Sequence, residues 1–239
     1  MGGKRFERSK NCNLLLRRLE EKFEIYNDDC MTVMDEMINR GVKVDFCFTS
    51  PPYNRERNDK YNNYSDTKNN YYQFLKDIID KNLKIGKYLF LNIQKNYYNK
   101  QDVFKIIGEY SDKIIDIICW TKTNPMPASG FNVTNSWEFI LVMSDKEKSI
   151  KAQKTYTKNH IETSVYSENP YKKIHRAVMK PDVVNWFIDR FTEENNVIFD
   201  CFMGVGTTGV SCLENNRKFI GVELDNTYFN ISKERLENI

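Results

Sequence analysis

The sequence predicts an α/β fold built on a mainly parallel sheet with helices on both faces. Short apolar runs of strand length alternate along the chain with segments whose apolar residues recur at helical spacing. Several of the runs are apolar through most of their length, which is typical of strands that are covered on both faces of a sheet. Repeated strand–helix units of this kind pair as parallel strands joined by crossover helices.

The composition is that of one soluble globular domain. The chain has 239 residues, of which 40% are hydrophobic and 29% charged, and this fits one domain with a modest insertion. The net charge of +3 is too small to predict nucleic-acid binding by itself, although a local basic face is compatible with it. We recognise no signal peptide and no apolar stretch near the ~18 residues of a membrane span. We therefore expect an intracellular protein, cytoplasmic or nucleoid-associated, with no membrane partner.

The six cysteines indicate free thiols rather than a metal site. None forms a C-x-x-C pair and only two histidines are present, so we expect no metal. Cys47, Cys119 and Cys201 lie in or beside apolar runs, which is typical of buried thiols in a reducing compartment.

Most strands and helices are predicted from short apolar runs and from apolar residues at helical spacing, respectively. The predicted strands are 23–26, 42–48, 88–93, 114–120, 136–143, 196–199 and 219–223. The predicted helices are 13–22, 31–39, 72–84, 101–110, 181–191, 207–216 and 226–236.

Three polar segments interrupt this pattern. Residues 1–12 are basic and predict a flexible tail or an arm that contacts phosphate. Residues 54–72 contain no Gly or Pro and predict a mobile surface loop over the active site. Residues 144–174 carry seven lysines against four acids, and we interpret them as an insertion that contacts a macromolecular partner. The alternative for this insertion is a solvated loop.

A glycine-rich turn follows strand 196–199. Gly204, Gly206 and Gly209 fit G-x-G-x-x-G, a pattern that is weak by itself. Its context makes it more specific, because the turn follows an apolar strand and opens a helix. Glu223 then ends the next strand, where an acid can accept hydrogen bonds from ribose hydroxyls. The alternative is a tight turn with no ligand.

The segment Ser50-Pro51-Pro52-Tyr53 directly follows strand 42–48. Open α/β sheets place ligands at the carboxyl ends of their strands, and paired prolines restrict the direction of the backbone. In isolation the segment is equally compatible with a rigid turn.

Together the two segments resemble the amino-methylating DNA methyltransferases. Residues 49–54 resemble the catalytic loop of that family, and residues 199–208 resemble its cofactor loop. The catalytic loop comes first here, as in the permuted branch called the beta group. The resemblance implies a Rossmann-like S-adenosylmethionine-dependent methyltransferase fold with permuted motif order, in which 1–239 form a single domain.

The resemblance also implies roles for the catalytic loop. An aromatic amine is a poor nucleophile, because its lone pair is delocalised into the ring. The Ser50 hydroxyl and the Pro51 carbonyl would hold both amine hydrogens, Pro52 would restrict the loop, and Tyr53 would stack on a base flipped out of the duplex. Attack on the sulfonium methyl would then be direct, with positioning and electrostatics supplying most of the rate.

The residues expected to bind the cofactor are Asp29, Asp200, Phe202, Gly204, Gly206, Thr207, Thr208 and Glu223. By resemblance, Asp200 lies at the methionine side of the pocket and Phe202 lines it, while both threonines supply hydroxyl or amide contacts. Asp29 approaches the adenine ring or caps a helix, and both can hold.

Ser50 favours N4 of cytosine as the target, because serine is commoner at this position in cytosine-N4 enzymes and aspartate in adenine-N6 enzymes. We therefore expect site-specific methylation of double-stranded DNA, as in restriction-modification systems. The alternatives are adenine-N6 methylation, an RNA methyltransferase, and an inactive regulatory DNA-binding homologue. The insertion at 144–174 falls where beta-group enzymes carry their target-recognition region, and its lysines would contact phosphates. A homodimer remains open.

Overall fold

Strands and helices follow one another along the chain largely as the spacing of the apolar residues predicts. The computed structural model describes residues 21–54, 60–61, 64–65, 70–125, 127, 133–164 and 178–239. The strands of these residues are β1 (Phe23–Tyr26), β2 (Val44–Thr49), β3 (Lys60–Tyr61), β4 (Tyr64–Ser65), β5 (Gly86–Ile93), β6 (Ile114–Lys122), β7 (Trp137–Met143), β8 (His160–Thr163), β9 (Val197–Asp200) and β10 (Lys218–Val222). The helices are α1 (Cys30–Asn39), α2 (Tyr71–Ile85), α3 (Lys100–Glu109), α4 (Pro181–Phe191), α5 (Thr207–Glu214) and α6 (Asn226–Glu237).

One large sheet organises the molecule. Its strands lie in the order β1-β10-β9-β2-β5-β7-β6-β8. Within it, β7 runs antiparallel to β5 and β6, and every other neighbouring pair is parallel. The predicted mainly parallel α/β sheet is therefore confirmed, while the permuted ancestry of the motif order stays a prediction.

Helices cover both faces of the sheet because its central strands are apolar on both sides. On one face, Met34 of α1, Leu75 of α2 and Val103 of α3 belong to a single buried cluster. On the other face, Phe187 of α4, Cys212 of α5 and Leu236 of α6 belong to a second. Alternate side chains of a strand point to opposite faces, so β2 and β5 each contribute to both clusters.

Aromatic rings dominate the second cluster. The ring of Phe187 in α4 lies 4.8 Å from that of Phe48 in β2 and 4.6 Å from that of Phe90 in β5, between centroids. Aromatic pairs at such distances stabilise a core beyond the area they bury. This packing holds α4 across the two strands whose carboxyl ends carry the site.

Strand β8 is absent from the sequence prediction. It pairs in parallel with residues 119–122 of β6, and the indole of Trp120 donates a hydrogen bond of 2.8 Å to the Thr163 hydroxyl. The strand has four residues, of which Ile161 and Thr163 are buried and alternate with exposed neighbours. A strand this short leaves little periodic signal within a polar segment.

The predicted insertion begins at the amino edge of the sheet. The backbone N–H of Ser144 donates to the Lys113 carbonyl before β6 at 3.0 Å, and its hydroxyl donates to the Lys87 carbonyl at the start of β5 at 2.8 Å. Further along, the Gln153 N–H donates to the carbonyl of Arg190 in the last turn of α4 at 2.7 Å. Only β8 then leads to the carboxyl edge, reaching it at Thr163.

Other predicted segments lie wholly or partly outside the described residues. These are the basic tail 1–12, most of helix 13–22, most of the loop 54–72 and the second part of the insertion, 165–174. Where the predicted loop ends, residues 71–72 already belong to α2. Among the described helices, none combines the length and the apolar character that a membrane crossing requires.

We expect Gly209→Ala to destabilise the protein, because Gly209 of α5 packs against side chains of β10 and α6 with no space for a Cβ. A Cβ there would lie 2.7 Å from two ring atoms of Phe219 and 2.9 Å from a methyl of Leu236. Overpacking of this kind costs about 1–3 kcal/mol of unfolding free energy, measured by urea denaturation. Gly108→Ala in α3 is the matched control: nothing lies within 4 Å of its Cβ, so it should stabilise by about 0.5–1 kcal/mol. Equal effects of the two changes would contradict the packing role.

Candidate active site

The predicted site residues all lie at the carboxyl edge of the sheet. Asp29 follows β1, the segment 50–53 follows β2, Asp200 ends β9 and Glu223 follows β10. Since β2 and β9 are neighbours in the sheet, the two motifs meet although their sequences are far apart. Open parallel sheets bind ligands at this edge.

The Asp200 carboxylate joins the two motifs. Its Oδ1 accepts hydrogen bonds from the Thr49 hydroxyl at 2.8 Å and from the Phe202 N–H at 3.0 Å. Its Oδ2 accepts from the Thr208 hydroxyl at 2.7 Å. Burial raises the pKa of Asp200, and these three hydrogen bonds oppose that rise. The carboxylate therefore ties the end of β2, directly before Ser50, to the first turn of α5.

The glycine turn adopts a left-handed backbone. Gly204 has φ +54° and Gly206 has φ +79°, values that are costly for residues with a Cβ. A Cβ on Gly206 would also lie 3.1 Å from the side chain of Ser232 in α6. The Ser232 hydroxyl donates to the Gly204 carbonyl at 2.6 Å, and the Arg235 guanidinium donates to the Val205 carbonyl. Both donors belong to α6, so this helix fixes the position of the turn.

A hydroxyl in this turn is buried without a partner. Thr207 is 3% exposed and opens α5, and its Oγ1 has no hydrogen-bond partner among the described residues. An unsatisfied buried hydroxyl is costly. The Thr207 side chain is therefore placed to contact a group that binds at the turn, whereas the Thr208 hydroxyl is already bonded to Asp200.

Glu223 lies across the turn from Gly204. One carboxylate oxygen accepts the Gly204 N–H at 3.0 Å, and the other accepts the Asp225 N–H at 2.8 Å. Burial raises the pKa of Glu223 to about 7. Each oxygen retains a second lone pair, so the carboxylate can still accept from a ligand.

Asp29 and Phe202 flank the turn. The Asp29 side chain accepts the N–H groups of Met31 at 2.9 Å and Thr32 at 3.3 Å, so it caps α1 as one of its two predicted roles requires. Its contact with a ligand stays a prediction. The Phe202 ring packs edge-on against Phe74 of α2 with centroids 6.1 Å apart.

Side chains outside the motif hold the Ser50–Tyr53 loop. The Tyr71 hydroxyl donates to the Pro52 carbonyl at 2.8 Å. The amides of Asn96 and Asn99 both donate to the Tyr53 carbonyl, at 2.7 and 2.9 Å. These contacts bind the carbonyls of Pro52 and Tyr53, whereas no described residue donates to the carbonyls of Ser50 and Pro51.

A buried polar cluster lies beneath Ser50. The hydroxyls of Ser50 and Tyr53 are 2.8 Å apart, and Tyr53 donates to Glu138 Oε2 at 2.9 Å. The Asn92 amide contacts the same Glu138 oxygen at 2.9 Å, the Tyr53 hydroxyl at 2.7 Å and the Ser50 hydroxyl at 3.3 Å. The other Glu138 oxygen pairs with Lys122.

Burial, and then the negative charge of Glu138, raise the pKa of Tyr53 well above its usual value. Tyr53 therefore keeps its proton at neutral pH. Since that proton lies between Tyr53 and a carboxylate, Tyr53 is the donor of the pair.

The sequence analysis missed Asn92, Lys122 and Glu138. They lie on β5, β6 and β7, which are adjacent in the sheet, and each stands near the carboxyl edge. Glu138 is 5% exposed and Asn92 is fully buried. The clearest available signal was in β7, where Glu138 is the one polar residue of an otherwise apolar strand, because burial of such a residue requires partners. Among the described residues, no group of three or more His, Cys, Asp or Glu could hold a metal ion.

A family comparison agrees with this geometry. The sequence model of the N6/N4 DNA methylases matches residues 44–234. This chain belongs to the DNA methylase family. The match covers both motifs, and the resemblance to amino-methylating DNA methyltransferases is confirmed.

Curated relatives of this DNA methylase are distant. Type II methyltransferase M2.LlaDCHI of Lactococcus lactis subsp. cremoris is 30% identical over 157 residues, which are 60% of this chain and 58% of that protein. The chain spans about half the length of the first curated relatives that it matches.

Solved structures share the fold. The complex of M1.HpyAVI with SAM has a TM-score of 0.64 at 24% identity, over 90% of this chain and 98% of that one. The cytosine-N4-specific PvuII DNA methyltransferase has a TM-score of 0.72 at 18% identity, over 90% of this chain and 86% of that one. At these identities the likeness establishes a common architecture.

Proposed function

We propose that this DNA methylase transfers a methyl group from S-adenosylmethionine to the N4 amine of a cytosine flipped out of double-stranded DNA. The observation that carries the proposal is the Asp200 junction, which brings the Ser50 loop and the glycine turn to one edge of the sheet. A methyl donor and an acceptor base bound at these two loops would lie side by side, as transfer requires.

The glycine turn fits the cofactor. S-adenosylmethionine, when bound, supplies an electrophilic methyl group on its sulfonium. The turn has the left-handed backbone of a glycine loop, the Thr207 hydroxyl has no partner among the described residues, and Glu223 offers carboxylate lone pairs for ribose hydroxyls. We assign Asp29 and Phe202 to the same cofactor site, together with Asp200 and Thr208, which bond to each other beside the turn.

The catalytic loop fits an amine. Two acceptors are needed to hold both amine hydrogens, and the loop presents the Ser50 oxygen and the Pro51 carbonyl. The carbonyls of Pro52 and Tyr53 are already bound by protein donors. The Pro51 oxygen has no donor among the described residues, which supports its assignment to the second amine hydrogen.

Glu138 fixes the direction of the hydrogen bonds behind Ser50. Tyr53 donates its proton to Glu138, so the Ser50 hydroxyl must donate its own proton to the Tyr53 oxygen. The Asn92 amide donates to the Ser50 oxygen at 3.3 Å, which leaves one Ser50 lone pair to accept from the amine. Glu138 touches no substrate in this scheme and acts as a positioning residue.

The family model supports a DNA substrate, and the curated relative named above, a Type II methyltransferase, supports a restriction-modification context. Ser50 favours cytosine over adenine, whose N6 amine is the alternative target. The insertion at 144–174 remains a candidate for target recognition through Thr163, Ser164 and the residues that follow them. Homodimer formation remains open.

The first test is transfer of labelled methyl groups from S-adenosylmethionine to mixed-sequence duplex DNA, with the product nucleoside identified by mass spectrometry. We expect N4-methylcytosine, and Ser50→Ala should lower the single-turnover rate about 100-fold or more, as loss of one key hydrogen-bond partner does. Ser111→Ala, at an exposed site after α3, is the control that should change nothing. N6-methyladenine would exclude the cytosine assignment. Cofactor binding without transfer to DNA would exclude the DNA methyltransferase proposal and favour RNA or a regulatory role.

We expect Glu138→Gln to slow transfer without weakening cofactor binding. An amide at this position can donate to Tyr53, which would reverse the hydrogen bonds and turn the Ser50 proton towards the amine. Misalignment of a reacting group costs up to about 100-fold in rate, measured by single-turnover transfer. The dissociation constant for S-adenosylmethionine and the thermal unfolding midpoint are the controls. An unchanged rate in a folded variant would rule out the positioning role.

Cofactor affinity should fall as the pH drops through about 7, the raised pKa of Glu223. Ribose hydroxyls bind more strongly to the ionised carboxylate than to its protonated form, which predominates below that pH. The dissociation constant should rise towards tenfold per pH unit below the pKa, the limit for one coupled proton. Calorimetry across this range, repeated on Glu223→Gln, separates this effect from titration of the cofactor itself. A pH dependence that survives in Glu223→Gln would assign it to another group.

A further inference from the structure

A group of exposed aromatic and lysine side chains lies at the carboxyl edge, beside the catalytic loop. It comprises Lys95, Tyr97, Tyr98, Lys100 and Trp137, and is called here the aromatic–lysine surface. Three of its members belong to the turn between β5 and α3, Lys100 opens α3, and Trp137 opens β7. Because β7 is antiparallel, its first residue meets the last residues of β5 and β6.

The aromatic rings of this surface are open to solvent. Tyr97 is 78% exposed, Tyr98 41% and Trp137 36%. The two tyrosine rings lie perpendicular to each other with centroids 5.2 Å apart. Single exposed aromatics are ordinary, but a contiguous group at a functional edge indicates a binding surface.

Lysines accompany these rings. Lys100 Nζ lies 5.2 Å from the Tyr97 centroid, and Lys95 Nζ lies 5.7 Å from the Trp137 centroid. Neither lysine forms a salt bridge with an acid of the described chain. Each therefore offers an uncompensated positive charge next to a flat apolar face. This is the combination that binds nucleic acid, since lysines contact phosphates and rings stack on bases.

The turn is rigidly connected to the catalytic loop. Asn96 and Asn99, which alternate with the exposed residues, donate to the Tyr53 carbonyl. Asn99 also donates to the Gln94 carbonyl at 3.0 Å, and Asn135 donates to the Lys95 carbonyl at 3.0 Å. A strand of DNA resting on the outward side chains would be in fixed register with Tyr53.

The first part of the lysine-rich insertion lies elsewhere. Residues 144–153 run along the amino edge of the sheet, where Ser144 contacts β5 and Gln153 contacts the end of α4. The catalytic loop lies at the opposite edge. Phosphates near the target base would thus lie closer to the turn after β5 than to the first lysines of the insertion.

We propose that the aromatic–lysine surface binds the DNA strand that carries the target base. Lys95 and Lys100 contact its phosphates, and Tyr97 stacks on a nucleotide next to the flipped base. The inference rests on the proposed function, because it takes the base bound at Ser50 as its reference point. It assigns strand contacts to a turn that neither motif includes.

The test is binding of a fluorescent mixed-sequence duplex over a series of salt concentrations. Lys95→Ala/Lys100→Ala should lower the slope of log affinity against log salt by about 1.8, the counterion release of two phosphate contacts. Lys84→Ala/Lys233→Ala removes the same charge from α2 and α6, and should leave the slope unchanged.

Tyr97→Ala should weaken binding about 5- to 150-fold, as loss of one base–aromatic stack does. Tyr97→Phe keeps the ring and should bind as the wild type does.

Single-turnover methyl transfer and cofactor affinity complete the experiment. The surface variants should bind S-adenosylmethionine normally and lose transfer at limiting DNA. If the wild type binds and methylates DNA while Lys95→Ala/Lys100→Ala and Tyr97→Ala match their controls, the inference is overturned and the proposed function stands. If the wild type neither binds nor methylates DNA, the proposed function itself fails. Equal losses in both double lysine variants would indicate a general charge effect and would also overturn the assignment.

Discussion

The site depends on one buried carboxylate that holds together two segments 151 residues apart. Asp200 accepts from Thr49 at the end of β2 and from Thr208 at the start of α5, so neither loop can move without breaking a hydrogen bond in a dry environment. Removing one partner of a buried charged hydrogen bond is costly. The mutual position of the catalytic loop and the glycine turn is therefore a property of the sheet core rather than of either loop.

A second constraint comes from the reversed strand. Because β7 is antiparallel, its second residue, Glu138, reaches the same edge as the last residues of β5 and β6. Asn92 and Lys122 from those strands then surround the Glu138 carboxylate, which would otherwise be an unpaired buried charge. The cluster in turn orients the hydroxyls of Tyr53 and Ser50. An all-parallel arrangement would have placed the first residue of β7 at the other edge.

The proposed function divides this edge of the sheet into two sides. It assigns the glycine turn, Thr207 and Glu223 to the cofactor, and Ser232 and Arg235 of α6 support that turn. It assigns the Ser50 loop to the base, and Tyr71, Asn96 and Asn99 support that loop. The turn after β5 both supports that loop and displays exposed rings and lysines, so the same backbone can position the substrate strand and the catalytic groups.

The sequence by itself determined the fold class, the six described helices, seven of the ten described strands and the two motifs, because hydrophobic periodicity and glycine or proline placement are local properties. It did not predict β8, nor β3 and β4, which lie within the predicted loop 54–72. Ser50, Asp200 and Glu223 were found because each adjoins such a signal. Only the tertiary structure decided that Asp200 bonds Thr49 and that Glu138, Asn92 and Lys122 form one cluster. It also decided that β8 joins the sheet and that the insertion starts at the far edge. These features depend on strand order and direction, which bring together residues distant in the chain and leave no periodic trace in it.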